Sequence, residues 1–176
     1  APRGRILVGE GEFSGSLTLW KPVEILGVGA ASTTVRGMIS LIGSVQDVRL
    51  SDLEIMGSPS TGLLLHGDAN AEAQSIRVAF NSTIGISLWD RAHLTIVDSL
   101  VDNNGQNPGC NGFCHGILLR AQSSIFVRNS QLDDNNGWGL ATFIEQCGYR
   151  EDAFSGEVEL SNAAASGNVA GGFCTP

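Results

Sequence analysis

Helix-forming composition is what this chain most lacks: 23 glycines stand against 2 methionines and a single tyrosine, and aromatic residues make up 6%. Sustained helices need runs of straight-chain residues and little glycine, so an α-helical fold is disfavoured from the start. Positive charge is scarce too, with 10 Lys and Arg against 18 Asp and Glu, a net charge of -8 and a pI near 4.7. A field of that sign repels a nucleic-acid backbone and an anionic membrane surface, so neither is expected as a partner. No apolar run approaches the roughly 18 residues that a membrane span requires. The paired CxxC spacing of a zinc site is missing as well. No signal peptide follows Ala1, which is therefore expected to be a processed start.

What is present is Val, Ile, Leu, Ser, Thr, Asn and Gly, the composition of short strands joined by tight turns. The 176 residues, 42% of them apolar, are expected to form one domain, 1–176, with a real core. Four cysteines suit disulfides in an exported protein, outside the cell, in the periplasm or on the cell surface. Cys110 and Cys114 share one Gly/Asn-rich loop, Cys147 lies in another, and Cys174 is near the end. Of the three possible connectivities, we favour Cys110–Cys114 with Cys147–Cys174.

An internal repeat carries the fold. Strand starts fall at Val23, Val48, Ala71, Leu94, Ile125 and Val158, and glycines at Gly37, Gly62, Gly85, Gly116, Gly139 and Gly172. The basic unit is 23 residues, lengthened by insertions at about 105–112 and 145–154. Within each unit, alternation predicts three short strands. The first buries pairs such as Leu94/Ile96, and a polar corner (Asp52, Ser75, Asp98, Asn129, Asn162) follows it. The second buries Ile55, Val78, Val101, Leu132 and Ala165; the third, opened by the glycine, buries pairs such as Ile86/Leu88. Three strands per turn, each paired with its copy one turn away, predict an all-β parallel β-helix of about 6–7 turns. Asn81, Asn104, Asn135 and Asn168 recur in the bend before the third strand, where stacked amides can bond up and down a column. Asn81-Ser82-Thr83 is also a glycosylation sequon, but an inward ladder asparagine is a poor acceptor, so it is expected to stay unmodified.

With its asparagine ladder, this pattern resembles the right-handed parallel β-helix of the pectin-lyase-like superfamily over about residues 5–174. The run of residues 5–19 followed by Val23-Glu-Ile-Leu-Gly-Val-Gly looks like the first turns of such proteins. The chain departs from that family in length and ending. At ~4.8 Å per turn the body is about 30 Å long, and no capping helix or covered end is visible. An open strand edge predicts a fragment of a longer protein or end-to-end self-association.

The resemblance implies where chemistry would lie: the outward face of the first strand, with acidic residues, often calcium, and an Arg or Lys base. Here that face reads Glu24, Arg49, Glu72, Thr95, Phe126, Glu159, beside Leu26, Ser51, Gln74, Val97, Arg128, Ser161. Arg128 is the candidate base, yet Thr95, Val97 and Ser161 around it supply no carboxylate, and the family's catalytic constellation is not matched. Asp102 and Asp133 share a place on adjacent turns, with Asn103 and Asp134 beside them. Such a pair suits calcium, acid–base work or, more simply, turn formation. His115, after the Cys110–Cys114 loop, is a further acid–base candidate and is expected to face solvent. His66, Trp89, Arg120 and Phe143 form one column at the end of the third strand, able to stack sugars and pair acidic groups, or simply to pack. The insertions, carrying His115, Tyr149 and Glu151, are where a rigid solenoid places recognition.

The function expected is therefore an exported β-helix domain that recognises a polysaccharide or cell-surface partner without catalysis. A polysaccharide lyase, hydrolase or epimerase is the first alternative, and a structural or adhesive solenoid associating end to end is the second.

Overall fold

The computed structural model describes residues 4–110 and 113–176; Asn111 and Gly112, the last two residues of the first insertion, lie outside the described residues, as does Ala1. Three parallel sheets of seven, six and seven strands wrap one core. The first sheet contains Gly4–Leu7, Val23–Leu26, Val48–Ser51, Asn70–Gln74, His93–Val97, Ser124–Arg128 and Glu157–Ser161. The second contains Gly11–Ser14, Thr33–Arg36, Glu54–Met56, Arg77–Ala79, Leu100–Asp102 and Gln131–Asp133. The third contains Leu17–Leu19, Ile39–Gly43, Leu63–Gly67, Ile86–Leu88, Ile117–Leu119, Trp138–Thr142 and Gly171–Cys174. Every strand pairs with its equivalent one turn away, and the strand starts deduced from the repeat pair with each other, as in Ala71 with Leu94 and Leu94 with Ile125. The chain is a parallel β-helix.

Alternation works as expected, because neighbouring residues of a strand point to opposite faces. Leu94, Ile96, Val101, Ile117 and Leu119 are fully buried, and so are their counterparts Ile86 and Leu88 one turn earlier. The bends need unusual backbone. At the first corner Asp52, Ser75, Asp98, Asn129 and Asn162 all have φ between 49° and 54°. Small polar residues tolerate that left-handed conformation best. Asn162 and Asn129 also donate their amides up this corner, to Asn129 Oδ1 at 3.0 Å and Asp98 Oδ1 at 3.2 Å. At the second corner the left-handed residues are Phe80, Asn103 and Asp134.

Immediately inside the second corner stands the asparagine column. The amide nitrogens of Asn81, Asn104 and Asn135 each donate to the Oδ1 of the asparagine one turn on, every time at 3.0 Å. The same Oδ1 atoms accept backbone N–H groups, as from Asn81 to Asn104 at 3.2 Å and from Asn104 to Asn135 at 3.0 Å. Bend carbonyls are satisfied as well, with Asn104 Nδ2 donating to Val78 O at 2.9 Å. Ser58 takes the column's place one turn before Asn81 and donates its N–H to Asn81 Oδ1 at 3.0 Å. Asn81, Asn104 and Asn135 have no solvent exposure. The glycine that follows leaves room for this column. At Gly116 a Cβ would lie 2.5 Å from Gly139 O and 2.7 Å from Asn135 Nδ2.

One equivalence drawn from the repeat needs correction. Ile39 pairs with Leu63, so Met38, not Gly37, stands opposite Gly62. In that turn Val35 pairs with Ile55, which makes the first corner longer and the second shorter than in later turns. Two opposite changes nearly cancel in the residue count, so spacing alone hides them. In the last turn the second strand shrinks to a single bridge, Gln131 to Ala164.

The two insertions cover the outer face of the third sheet. A second apolar cluster forms there from Ile84, Leu118, Ala141, Phe143, Ile144, Cys147 and Cys174. Disulfides join Cys110 to Cys114 and Cys147 to Cys174, the favoured connectivity. Within the second insertion, Glu145–Cys147 makes a short 3-10 turn, and Ala153 O and Ser155 N bond Ala121 of the preceding turn at 2.6 and 2.7 Å.

Replacing Asn104 by Ala removes the central link and leaves buried N–H and C=O groups of two turns unpaired. The expected cost is about 2–3 kcal/mol in urea unfolding. A loss below ~1 kcal/mol would contradict a structural role for the column.

Candidate functional site

The residue after each buried leucine of the third sheet turns outward, so the stacked turns display one such side chain per turn. Trp89 and Arg120 follow Leu88 and Leu119, which are paired in register, and His66 follows Leu65, the partner of Leu88. Trp89 is anchored: its indole N–H donates to Ser87 Oγ at 2.8 Å, and the residue is 37% exposed. The Arg120 guanidinium lies over Trp89 at 5.3 Å and over Phe143 at 4.4 Å from the ring centroids. His66 tilts towards Trp89 at 6.2 Å. The column expected from the sequence is one continuous strip, but its members are not equally open. Phe143 is only 9% exposed and serves as the base under Arg120.

Carboxylates border the strip. Glu151 of the second insertion lies 3.2 Å from Arg120 Nη2, and Asp90 3.3 Å from His66 Nε2. Arg91 bonds Asp68 through Nε and Nη2 at 2.6 and 2.9 Å. Those hydrogen bonds, with the Arg91 charge, hold the Asp68 carboxyl below its ordinary range.

Past Phe143 the insertions meet. Tyr149 stacks on Phe143 at 3.9 Å between centroids, and Phe113, just past the first insertion, lies 5.7 Å from Tyr149. His115 does not face solvent as expected: it is 4% exposed, beneath Tyr149. Its Nδ1 accepts the Trp138 N–H at 2.9 Å, so the ring proton sits on Nε2, 2.7 Å from the Tyr149 hydroxyl. The reason is the second insertion, whose Tyr149 roofs the histidine.

Asp102 and Asp133 are in register, as the repeat requires. Their surroundings differ. Asp102 is buried and takes two bonds from Arg77, Nε to Oδ1 at 2.8 Å and Nη2 to Oδ2 at 2.6 Å. Arg77 also bonds Glu54 at 2.9 Å and lies over Phe80, so one guanidinium ties three turns of the second sheet. The bonds Arg77 donates to Asp102, opposed by partial burial, raise the Arg77 pKa, and the charges of Asp102 and Glu54 add to this. The guanidinium therefore already brings to Asp102 the positive charge that calcium would supply. Asp133 Oδ1 instead accepts the Ser166 N–H and hydroxyl at 2.8 and 3.0 Å. Among the described residues, no three His, Cys, Asp or Glu side chains gather as a metal site.

On the first sheet Arg128 is exposed, between Val97 and Ser161 in register. Two acids of that face are engaged with arginines, Arg5 with Glu24 and Arg49 with Glu72, both at 3.1 Å. His93 lies there too, its Nδ1 2.8 Å from Ser124 Oγ and its Nε2 3.4 Å from Thr95 Oγ1.

Sequence reasoning missed Trp20 and Ile42, which continue the strip over the two preceding turns, Leu19 pairing with Leu41 and Ile42 with His66. A signal for Trp20 existed, since Leu19-Trp20 repeats Leu88-Trp89. The irregular early turn moved both off the counted spacing.

These features define a disulfide-tied parallel β-helix with a side-wall strip of stacked rings and guanidinium. The chain belongs to the family described as right-handed beta helix region, whose model matches residues 33–174. Among solved structures it is similar to an alginate lyase from Paenibacillus sp. str. FPU-7, at 14% identity and TM-score 0.62, covering 100% of this chain and 92% of that one. It is also similar to the A-module of the mannuronan C-5 epimerase AlgE4 of Azotobacter vinelandii, at 10% identity and TM-score 0.44, covering 94% and 88%. A third similar structure is the pectate lyase Pel9A, at 13% identity and TM-score 0.47, covering 96% and 72%. No curated protein matches the chain.

Tyr149 is the chain's one tyrosine, and burial pushes its phenol well above the ordinary value near 10. Because the folded state favours the neutral phenol, the stability this contributes is complete below pH ~10 and is lost as pH rises through the folded pKa. Native protein is expected to show no phenolate absorbance at pH ~10.5, whereas the urea-unfolded chain titrates normally. A native titration near the ordinary value would contradict the stacked placement of Tyr149.

Proposed function

We propose that this chain is an exported domain that recognises a polysaccharide along the strip His66–Trp89–Arg120, with Phe143 and Tyr149 as its supporting base, and that it acts by binding rather than by catalysis. The observation that carries this reading is the anchored Trp89 ring with Arg120 of the next turn stacked on it. Rings held this way offer apolar faces to the C–H faces of sugars, and the bordering polar groups meet hydroxyls. Immobilised side chains lose little entropy on binding, which favours affinity. Two disulfides suit an oxidising compartment outside the cytoplasm. The alginate lyase that shares the fold is named for action on a polysaccharide, which supports the same class of ligand here. Glu24 and Glu72 of the first-sheet face are held in ion pairs with arginine, which supports binding over chemistry.

One observation favours the enzyme reading as a second possibility: the His115–Tyr149 pair carries a proton on a hydrogen bond at the end of the strip. Such a pair is able to donate or accept a proton if a polymer reaches it.

Binding is tested by native affinity electrophoresis against a panel of neutral and acidic polysaccharides. At least one polymer is expected to retard the protein, with Trp89→Ala and Arg120→Ala weakening retention about ten-fold and leaving the unfolding midpoint nearly unchanged. Retention unaffected by both substitutions would move the site elsewhere. Unsaturated product or new reducing ends, abolished by His115→Ala, would replace the binding reading with the enzymatic one.

A further inference from the structure

We propose that the strip takes an uncharged polysaccharide rather than a uronate polymer, and that Glu151 determines this choice. The inference rests on the function proposed above and narrows its ligand.

The argument is one of charge. Each arginine found against the strip already has a carboxylate, Glu151 at Arg120 and Asp68 at Arg91, and Asp90 lies beside His66. A uronate approaching Arg120 must displace an acid that the second insertion holds in place, at an effective concentration free sugar does not match. It must also approach a chain of net charge -8. Glu151 is 62% exposed in its side chain, so its bond to Arg120 contributes little to folding. Its effect is on the local charge. Neutral sugars face no such barrier. Their C–H faces stack on Trp89, whose indole N–H is already satisfied by Ser87, and their hydroxyls donate to the oxygens of Asp90 and Glu151.

The strip is also longer than its central part. Trp20 is 69% exposed and Ile42 47%, and both stand in register with His66 on preceding turns. At ~4.8 Å per turn, the outward side chains from Trp20 to Arg120 extend about 19 Å. That is a linear surface for a chain of several sugars, with aromatic platforms near both ends.

The test is affinity electrophoresis at low ionic strength in gels containing galactomannan, xyloglucan or dextran, compared with alginate or polygalacturonate. At least one neutral polymer is expected to retard the wild-type chain, and neither uronate polymer to do so. Trp89→Ala and, at the largely exposed Trp20, Trp20→Ala are each expected to weaken neutral retention about ten-fold. Glu151→Gln, which frees Arg120, is expected to gain several-fold retention by alginate while keeping neutral binding. Retardation of the wild type by a uronate polymer alone, lost in Trp89→Ala, would overturn the uncharged-ligand inference and leave the glycan site standing. Retardation by none of the five polymers would overturn both. A Glu151→Gln chain that gains nothing on alginate would remove Glu151 from its assigned role.

Discussion

Stacking of one turn on the next through parallel backbone hydrogen bonds is the constraint from which the rest of this structure follows. It fixes a common spacing for every layer, and a sheet can keep it easily because its N–H and C=O groups point along the stack. The bends cannot. There the backbone turns inward and would leave buried polar groups without partners, at a cost comparable to losing the hydrogen bonds themselves. Asparagine meets that need with one side chain. Its amide donates along the column and into the bend while its oxygen accepts a backbone N–H, as at Asn104. The glycine that follows, such as Gly116, exists because the column and the neighbouring carbonyl leave no space for a side chain.

The same spacing makes a surface. Once turns are in register, every outward position becomes a line of side chains, and its chemistry depends on what successive turns happen to carry. Along the second sheet the line is Glu54, Arg77 and, two places on, Asp102, and the charges close on each other. Those groups are engaged in holding turns together. Along the edge of the third sheet the line is Trp20, Ile42, His66, Trp89 and Arg120, and its two tryptophans stay partly exposed. The insertions end this line. Stapled by Cys147–Cys174 and packed through Tyr149 onto Phe143, they form a wall whose outer carboxylate, Glu151, reaches back to Arg120.

Much of this was legible in the residues. Apolar alternation and recurring asparagines specify a coil because both answer to periodic demands of the backbone, and the paired cysteines were legible because each pair borders a loop that needs closure. The strip was legible in part. His66, Trp89 and Arg120 stand at equal spacing, and register does place them side by side. Trp20 and Ile42 were lost because the early turn lengthens one corner and shortens the other, a change that residue counting absorbs silently. Asp102 and Asp133 were rightly placed on adjacent turns, but Arg77, two positions before Ala79 on the same sheet, was not weighed as their neighbour.

The sequence by itself determined the coil, its register over most turns and its ladder, since each depends on contacts between equivalent positions of a repeat. Only the tertiary structure decided which outward groups are free and which are engaged. His115 is roofed by Tyr149, Arg120 is matched by Glu151, and Phe143 lies under both Arg120 and Tyr149. Those contacts join an insertion to the coil, or one insertion to another. No periodicity governs where a non-repeating loop folds back, so its partners are set by packing in three dimensions.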